Sequence, residues 1–218
     1  MKKASIFLLV ILISLLCFQS YAQTFGIKGG LNLSNMLIES DGDTEDLKMK
    51  PGFHIAGIID FQFTDLLSLE TGLILDTKGF KFEDEGSGYS YKEKLNTFFL
   101  DIPVVLKVSV DAGSSVRIFG AAGPYIGVGL TGKWKSVYED QGTEDTDEEK
   151  VEWGNTDDDH LKRLDYGLTF GAGVEIKAIL VGVSYDLGLA NISAYTDLET
   201  KVKNRVLRIT VGFWFGKN

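Results

Sequence analysis

Residues Leu164–Ala190 read LDYGLTFGAGVEIKAILVGVSYDLGLA, and their zigzag decides the fold. Leu164, Tyr166, Leu168, Phe170, Ala172, Val174 and Ile176 share one parity, while Asp165, Gly167, Thr169, Gly171, Gly173, Glu175 and Lys177 share the other. Successive residues of a strand face opposite sides, so one face is greasy and the other small or charged. The pattern restarts with Ile179, Val181, Val183, Tyr185, Leu187 and Leu189 against Gly182, Ser184, Asp186 and Gly188. Two strands joined by a tight turn at Lys177-Ala178 are predicted.

Working outward, six further segments repeat the alternation: Thr24–Ser34, Gly52–Phe63, Leu66–Phe80, Leu95–Val110, Val116–Leu130 and Asn204–Phe215. Pro103 falls on the polar face of its segment, where it removes a ladder donor and predicts a bulge. The connections at Thr64-Asp65, Asp111–Ser114 and Lys177-Ala178 are short, whereas Asn35–Lys50, Lys81–Lys94, Gly132–Lys162 and Ser193–Lys203 are long. Long and short loops therefore gather at opposite ends. This pattern predicts an all-β fold: a closed, eight-stranded, antiparallel, up-and-down transmembrane β-barrel with short periplasmic turns and four longer extracellular loops.

The polar parity separates this reading from a soluble barrel, whose outer face would carry ordinary solvated lysine and glutamate. Here it is glycine, serine and threonine with a sparse set of charges. Asp60, Glu70, Asp76, Asp101, Asp165, Glu175 and Asp186 are set against Lys28, Lys78, Lys107, Arg117, Lys177 and Arg208. A near balance of signs suits an enclosed interior, where an unpaired charge is costly. These residues are expected to form a structural charge network that plugs the lumen, because a bore of eight strands is about wide enough for side chains to fill. A narrow ion or small-solute pore is the alternative.

At the N-terminus, Lys2 and Lys3 precede an apolar run to about Phe18, followed by Ser20, Tyr21 and Ala22. A basic head, a short greasy middle and small residues at Ser20 and Ala22 predict a signal peptide over residues 1–22, cleaved between Ala22 and Gln23. The barrel domain then runs over residues 23–218. Cys17, the single cysteine, lies within the signal, so the mature chain can form no disulfide and no thiolate metal site. Leu16 before it is a poor match to the small residue that lipoprotein processing prefers. Removal of Lys2 and Lys3 takes the net charge from −9 to −11, which argues against a nucleic-acid partner.

The ordered set of motifs resembles the PorT-like outer membrane β-barrel family of Bacteroidetes-type bacteria. Phe25-Gly26-Ile27-Lys28-Gly29-Gly30-Leu31-Asn32-Leu33-Ser34 looks like its opening strand, and Phe99-Leu100-Asp101-Ile102-Pro103-Val104-Val105-Leu106-Lys107 is similar to its Tyr-Leu-Glu-Ile-Pro-type strand. Ala122-Gly123-Pro124-Tyr125 and the glycine run Gly167 to Glu175 match in order and spacing. The resemblance implies the outer membrane of a Gram-negative bacterium. Some members are associated with secretion and gliding, but no motif here carries that role over.

Candidate sites are few. His160 in the longest connection, beside Asp157, Asp158 and Asp159, could serve an outer-leaflet lipid-modifying enzyme, but no glycine-flanked serine accompanies it. Glu139 to Asp159 carries eleven acids against one lysine, and a mobile, solvated loop is expected, since its spacing matches no ordered calcium loop. Phe213, Trp214 and Phe215 are expected to form a periplasmic aromatic girdle and the end that barrel assembly machinery reads. The expected protein is a monomeric outer-membrane barrel without catalysis, cofactor or metal, and with a structural, adhesive or partner-binding role. Its expected partners are outer-membrane lipid, lipopolysaccharide and the assembly machinery during insertion, with an envelope protein as a further candidate.

Overall fold

The computed structural model describes residues 22–40, 43–86, 89–140, 143–156, 158–195 and 200–216. The predicted signal peptide lies outside them except for Ala22, which with Gln23 opens the first strand. Ten strands run in chain order: β1 (Ala22–Ser40), β2 (Asp43–Asp46), β3 (Lys50–Gln62), β4 (Leu67–Gly86), β5 (Tyr89–Asp111), β6 (Val116–Asp140), β7 (Thr143–Lys150), β8 (Leu164–Ile176), β9 (Ile179–Gly188) and β10 (Lys201–Trp214). All belong to one antiparallel, ring-like sheet. Its order is β10-β9-β8-β6-β5-β4-β3-β1, and β10 pairs back onto β1 from Gly26↔Trp214 to Glu39↔Lys201. β2 and β7 lie off the ring, as short partners of the loop ends of β1 and β6.

The two faces are reversed relative to a soluble sheet. Ile27, Phe53, Ile55, Leu73, Ile118, Ile126, Phe170, Val183 and Ile209 point outward and stand about half exposed, whereas Asp76, Lys78, Asp101 and Asp165 retain at most 1% of their surface. Inward glycines make room for large rings. A Cβ on Gly173 would lie 2.6 Å from the Phe119 ring, and one on Gly167 would lie 2.8 Å from that of Tyr125.

Two expected loops are ladder instead. β4 and β5 continue to the Gly86↔Tyr89 pair, and β5 and β6 to Tyr89↔Asp140, so most of Lys81–Lys94 and the first part of Gly132–Lys162 are strand. The acidic stretch expected to be mobile contains β7, whose wholly exposed side chains ride on backbone pairing to β6 from Lys133↔Lys150 to Asp140↔Thr143. Its ladder needs no apolar burial of its own, because β6 supplies the partner groups.

The alternation persists through these extensions with its polarity inverted. Met36, Phe80, Leu95 and Trp134 now face inward, joining Leu47, Val151, Leu161 and Ile192 in an apolar cluster at the loop end. The register shift of the β5–β6 ladder falls at Phe98/Phe99, where Phe99 pairs with Gly129 and Phe98 with Thr131. Leu130 is the extra residue, and it switches the parity of β6. The bulge expected at Pro103 is absent there, since Pro103 pairs with Tyr125 in register.

On the expectation from the sequence that the outward side chains meet hydrocarbon, Ile209→Arg, midway along the outward face of β10, should destabilise the protein by about 2–4 kcal/mol in urea unfolding from lipid vesicles. An unchanged midpoint would show that this face does not meet hydrocarbon.

Candidate functional site

Charged side chains enter the bore from every strand of the ring except β6 and gather in two tiers. The tier nearer the loops centres on Arg208 of β10, whose guanidinium contacts Asp76 of β4, Asp186 of β9 and, at 3.3 Å, Asp101 of β5. Lys78 of β4 lies 2.9 Å from both Asp101 and Asp165 of β8. Its ammonium also sits 4.6 Å from the ring centre of Phe99 and 4.8 Å from that of Tyr125, where the ring quadrupoles favour a cation. Neutral donors complete the tier. Asn204 Nδ2 donates to Asp165 at 2.9 Å, the Tyr125 hydroxyl to the same carboxylate at 3.3 Å, and the Thr169 hydroxyl to Asp186 at 2.7 Å. Asn32 Nδ2 donates to Asp76 and to the Phe53 carbonyl, while its Oδ1 lies 2.7 Å from His54 Nδ1.

The tier nearer the turns centres on Lys107 of β5, 3.0 Å from Asp60 of β3, 3.1 Å from Glu175 of β8 and 3.8 Å from Glu70 of β4. Lys28 of β1 pairs with Glu70 at 2.5 Å. Trp214 Nε1 donates to Glu175 at 3.1 Å, and its ring lies 4.7 Å from the Lys107 ammonium. Between the tiers lies a cavity of about 90 Å³, bordered by Ala56, Ile58, Phe119 and Leu180, too small for an ordinary organic ligand.

Eleven of the thirteen residues expected to line the bore enter these two tiers. Lys177 does not: it stands exposed in the β8–β9 turn at a φ of 53°, which carries its side chain off the strand parity. Arg117, at the start of β6, lies at the turn-end rim, with Nε 3.1 Å from Asp111 and a further bond to the Asp65 carbonyl. The tiers therefore hold seven acids against four bases, not seven against six. Neutral donors take up part of the surplus at Asp165, Asp186 and Glu175, while Asp60 Oδ1 and Asp165 Oδ1 have no hydrogen-bond partner among the described residues.

Trp214 also departs from expectation. It is 1% exposed and faces the bore, leaving Phe213 and Phe215 as the outward aromatic pair, with ring centres 5.7 Å apart. Asn32, Asn204 and Thr169 were missed as network members because they carry no charge, although Thr169 sits on the recognised polar parity. Lys50 was missed because it lies in a stretch read as loop; it is 2% exposed at the loop end of β3.

Above the Arg208 tier, a second cavity of about 340 Å³ is lined by Met36, Phe80, Leu95, Trp134, His160 and Leu161. His160 Nδ1 accepts from the Glu152 amide at 3.0 Å and Nε2 lies 3.4 Å from Glu149. Asp159 instead accepts from the Thr156 hydroxyl at 2.6 Å, Asp158 is exposed, and Asp157 lies outside the described residues. Asp76, Asp101 and Asp186 bring carboxylate oxygens within 4.8 Å of one another, the spacing of a cation site, and the Arg208 guanidinium bonds all three.

The family model described as outer membrane protein beta-barrel domain matches residues 21–194. No curated protein matches the chain. Among solved structures, the chain is similar to the attachment invasion locus protein Ail of Yersinia pestis at 15% identity, over 88% of this chain and 98% of that one, with a TM-score of 0.36. It is also similar to Neisserial surface protein A at 12% identity (88% and 97%, TM-score 0.43). A third is the outer membrane protein OprG of Pseudomonas aeruginosa at 16% identity (89% and 97%, TM-score 0.42).

Removing one buried partner strands the others, so Arg208→Met is expected to cost about 3–5 kcal/mol in urea unfolding from vesicles. Adding Asp76→Asn and Asp186→Asn to it should restore part of that loss. A triple variant less stable than the single one would show that these carboxylates do not depend on Arg208.

Proposed function

Since the chain belongs to the outer membrane protein beta-barrel domain family and resides in the outer membrane, we propose that it is a monomeric, closed, eight-stranded transmembrane barrel with a structural, adhesive or partner-binding role. The eight strands are β1, β3, β4, β5, β6, β8, β9 and β10, and β2 and β7 are extensions of the extracellular loops. Closure satisfies every strand edge, which the hydrocarbon core requires. The motifs of the opening strand and of Phe99–Lys107 support a PorT-like, Bacteroidetes-type member, delivered by a signal peptide over residues 1–22 and inserted by the barrel assembly machinery.

The observation that carries this reading is the pair of charge tiers across the bore. A conducting path would need hydrated space past Arg208 and Lys107, whereas Arg208 is held by Asp76 of β4 as well as Asp186 of neighbouring β9, and Lys107 by Asp60 of β3 and Glu175 of β8. None of β3, β4 and β8 is a ladder neighbour of the strand whose cation it holds. The lumen is a brace. Function then falls to the extracellular extensions, where β7 is wholly exposed and acidic and ready to meet an envelope partner or the environment. We assign no catalytic role to His160, whose ring nitrogens are engaged by the Glu152 amide and by Glu149.

Planar-bilayer recording tests the brace against the narrow pore. The purified protein should give no steady channel, and Arg208→Met should at most add transient openings. A stable conductance whose ion selectivity changes in Asp186→Asn would overturn the plug and establish the pore.

A further inference from the structure

The outward face of β4, β5 and β6 changes character abruptly above its apolar band. In register across the three strands, Leu75, Leu100 and Val128 form one row; in the next, Phe98 and Thr131 turn outward beside Thr77, which is buried with its hydroxyl bonded to the Phe53 amide and carbonyl of β3. Gly79, Asn96 and Lys133 follow, and then Lys81, Lys94 and Lys135 side by side. The alternate residues Phe80, Leu95 and Trp134 face the inner apolar cluster, so these lysines point outward. A chain of net charge −9 thus presents, on β4, β5 and β6, four lysines and no acid in two consecutive rows. On β7 these rows continue to Lys150, opposite Lys133, and to Glu148, opposite Lys135, which Lys135 at 3.3 Å and Lys133 at 3.9 Å share; farther out, Glu83, paired with Lys48 at 3.1 Å, precedes an acidic row of Glu85, Glu139 and Glu144. Among the described residues, Lys81 and Lys94 have no acidic partner within 4.0 Å.

Rows on one face are about 7 Å apart along a strand, or about 5 Å in height once strand tilt is included. The lysine rows therefore stand roughly 5 and 10 Å above the Phe98 row. A headgroup layer is about 5–8 Å deep on each side of the hydrocarbon, and lysine stems can reach several ångströms toward it. The height, the sign and the continuity with the lipid-facing surface all describe one occupant. We infer that Lys81, Lys94, Lys133 and Lys135 form a docking face for the phosphate groups of a phosphorylated glycolipid in the outer leaflet. The inference rests on the transmembrane reading above, since only that reading sets these rows at headgroup height.

Fluorescence titration of lipopolysaccharide against the full-length protein, inserted in vesicles of uncharged lipid, tests the face. The Lys81→Gln/Lys94→Gln/Lys135→Gln variant should bind more weakly by on the order of 100-fold, at roughly fivefold per lysine near an anionic membrane surface. Lys162→Gln/Lys201→Gln/Lys203→Gln, which removes the same charge away from β4, β5 and β6, should bind like the parent. Enzymatically dephosphorylated lipopolysaccharide should bind the parent as weakly as the intact lipid binds the first variant. Millimolar inorganic phosphate should leave intact lipopolysaccharide bound. Equal affinity in parent and first variant, equal loss in both variants, or full binding of the dephosphorylated lipid would overturn the inference. Displacement by inorganic phosphate would replace the lipid with the free ion and overturn it as well. Capture of a soluble protein by the same lysines, with lipopolysaccharide binding unchanged, would do the same. A parent that fails to insert into vesicles would instead overturn the transmembrane reading beneath.

Discussion

Every carboxylate drawn into the bore must find a donor on a different strand, and the rest of the architecture answers that demand. An isolated charge in so narrow a space is intolerable, whereas one held by two or three partners from facing strands ties those strands together. Arg208 joins β10 to β4, β5 and β9, and Lys107 joins β5 to β3, β4 and β8. The ladder hydrogen bonds connect neighbours around the ring, and these ion pairs, apart from Arg208–Asp186 and Lys107–Glu70, connect strands that are not neighbours. The surplus of acid over base makes neutral donors part of the same device, so Asn204, Thr169, Tyr125 and Trp214 are as much members of the brace as the lysines.

Much of this was legible in the sequence, because strand parity is a strict code wherever the two faces meet different media. The zigzag of Leu164–Ile176 placed Asp165 and Glu175 on the inner face, and that of Ile179–Leu189 did so for Asp186. The code misled where the chain leaves the strand geometry. Lys177 keeps the parity of Glu175, but its left-handed backbone turns it out, and Arg117 is too near the strand end to reach past the rim. Trp214 shares the parity of Arg208 and Thr210. Parity alone would have sent it inward, and the habit of aromatic girdles pulled the expectation the other way.

The loop end was lost for a different physical reason. Parity had been tied to one assignment of media, greasy outward and charged inward, and above the apolar band that assignment inverts. Leu95 faces in and Lys94 out, whereas six residues on Asp101 faces in and Leu100 out. A reading that expects a single polarity registers the inversion as the end of the strand. The bulge at Leu130 compounds it, shifting β6 by one residue just where the change occurs, so that Trp134 enters the inner cluster while Lys133 and Lys135 stay outside.

That one unpaired residue also constrains how the outer ribbon can vary. Beyond Leu130, an insertion or deletion of a single residue in β6 would send Trp134 to solvent and drag a lysine into the apolar chamber, whereas a change of two would preserve every facing. Heritable length variation in this ribbon is therefore confined to even steps, like a ratchet with a two-residue tooth, unless a second bulge arises to cancel the first.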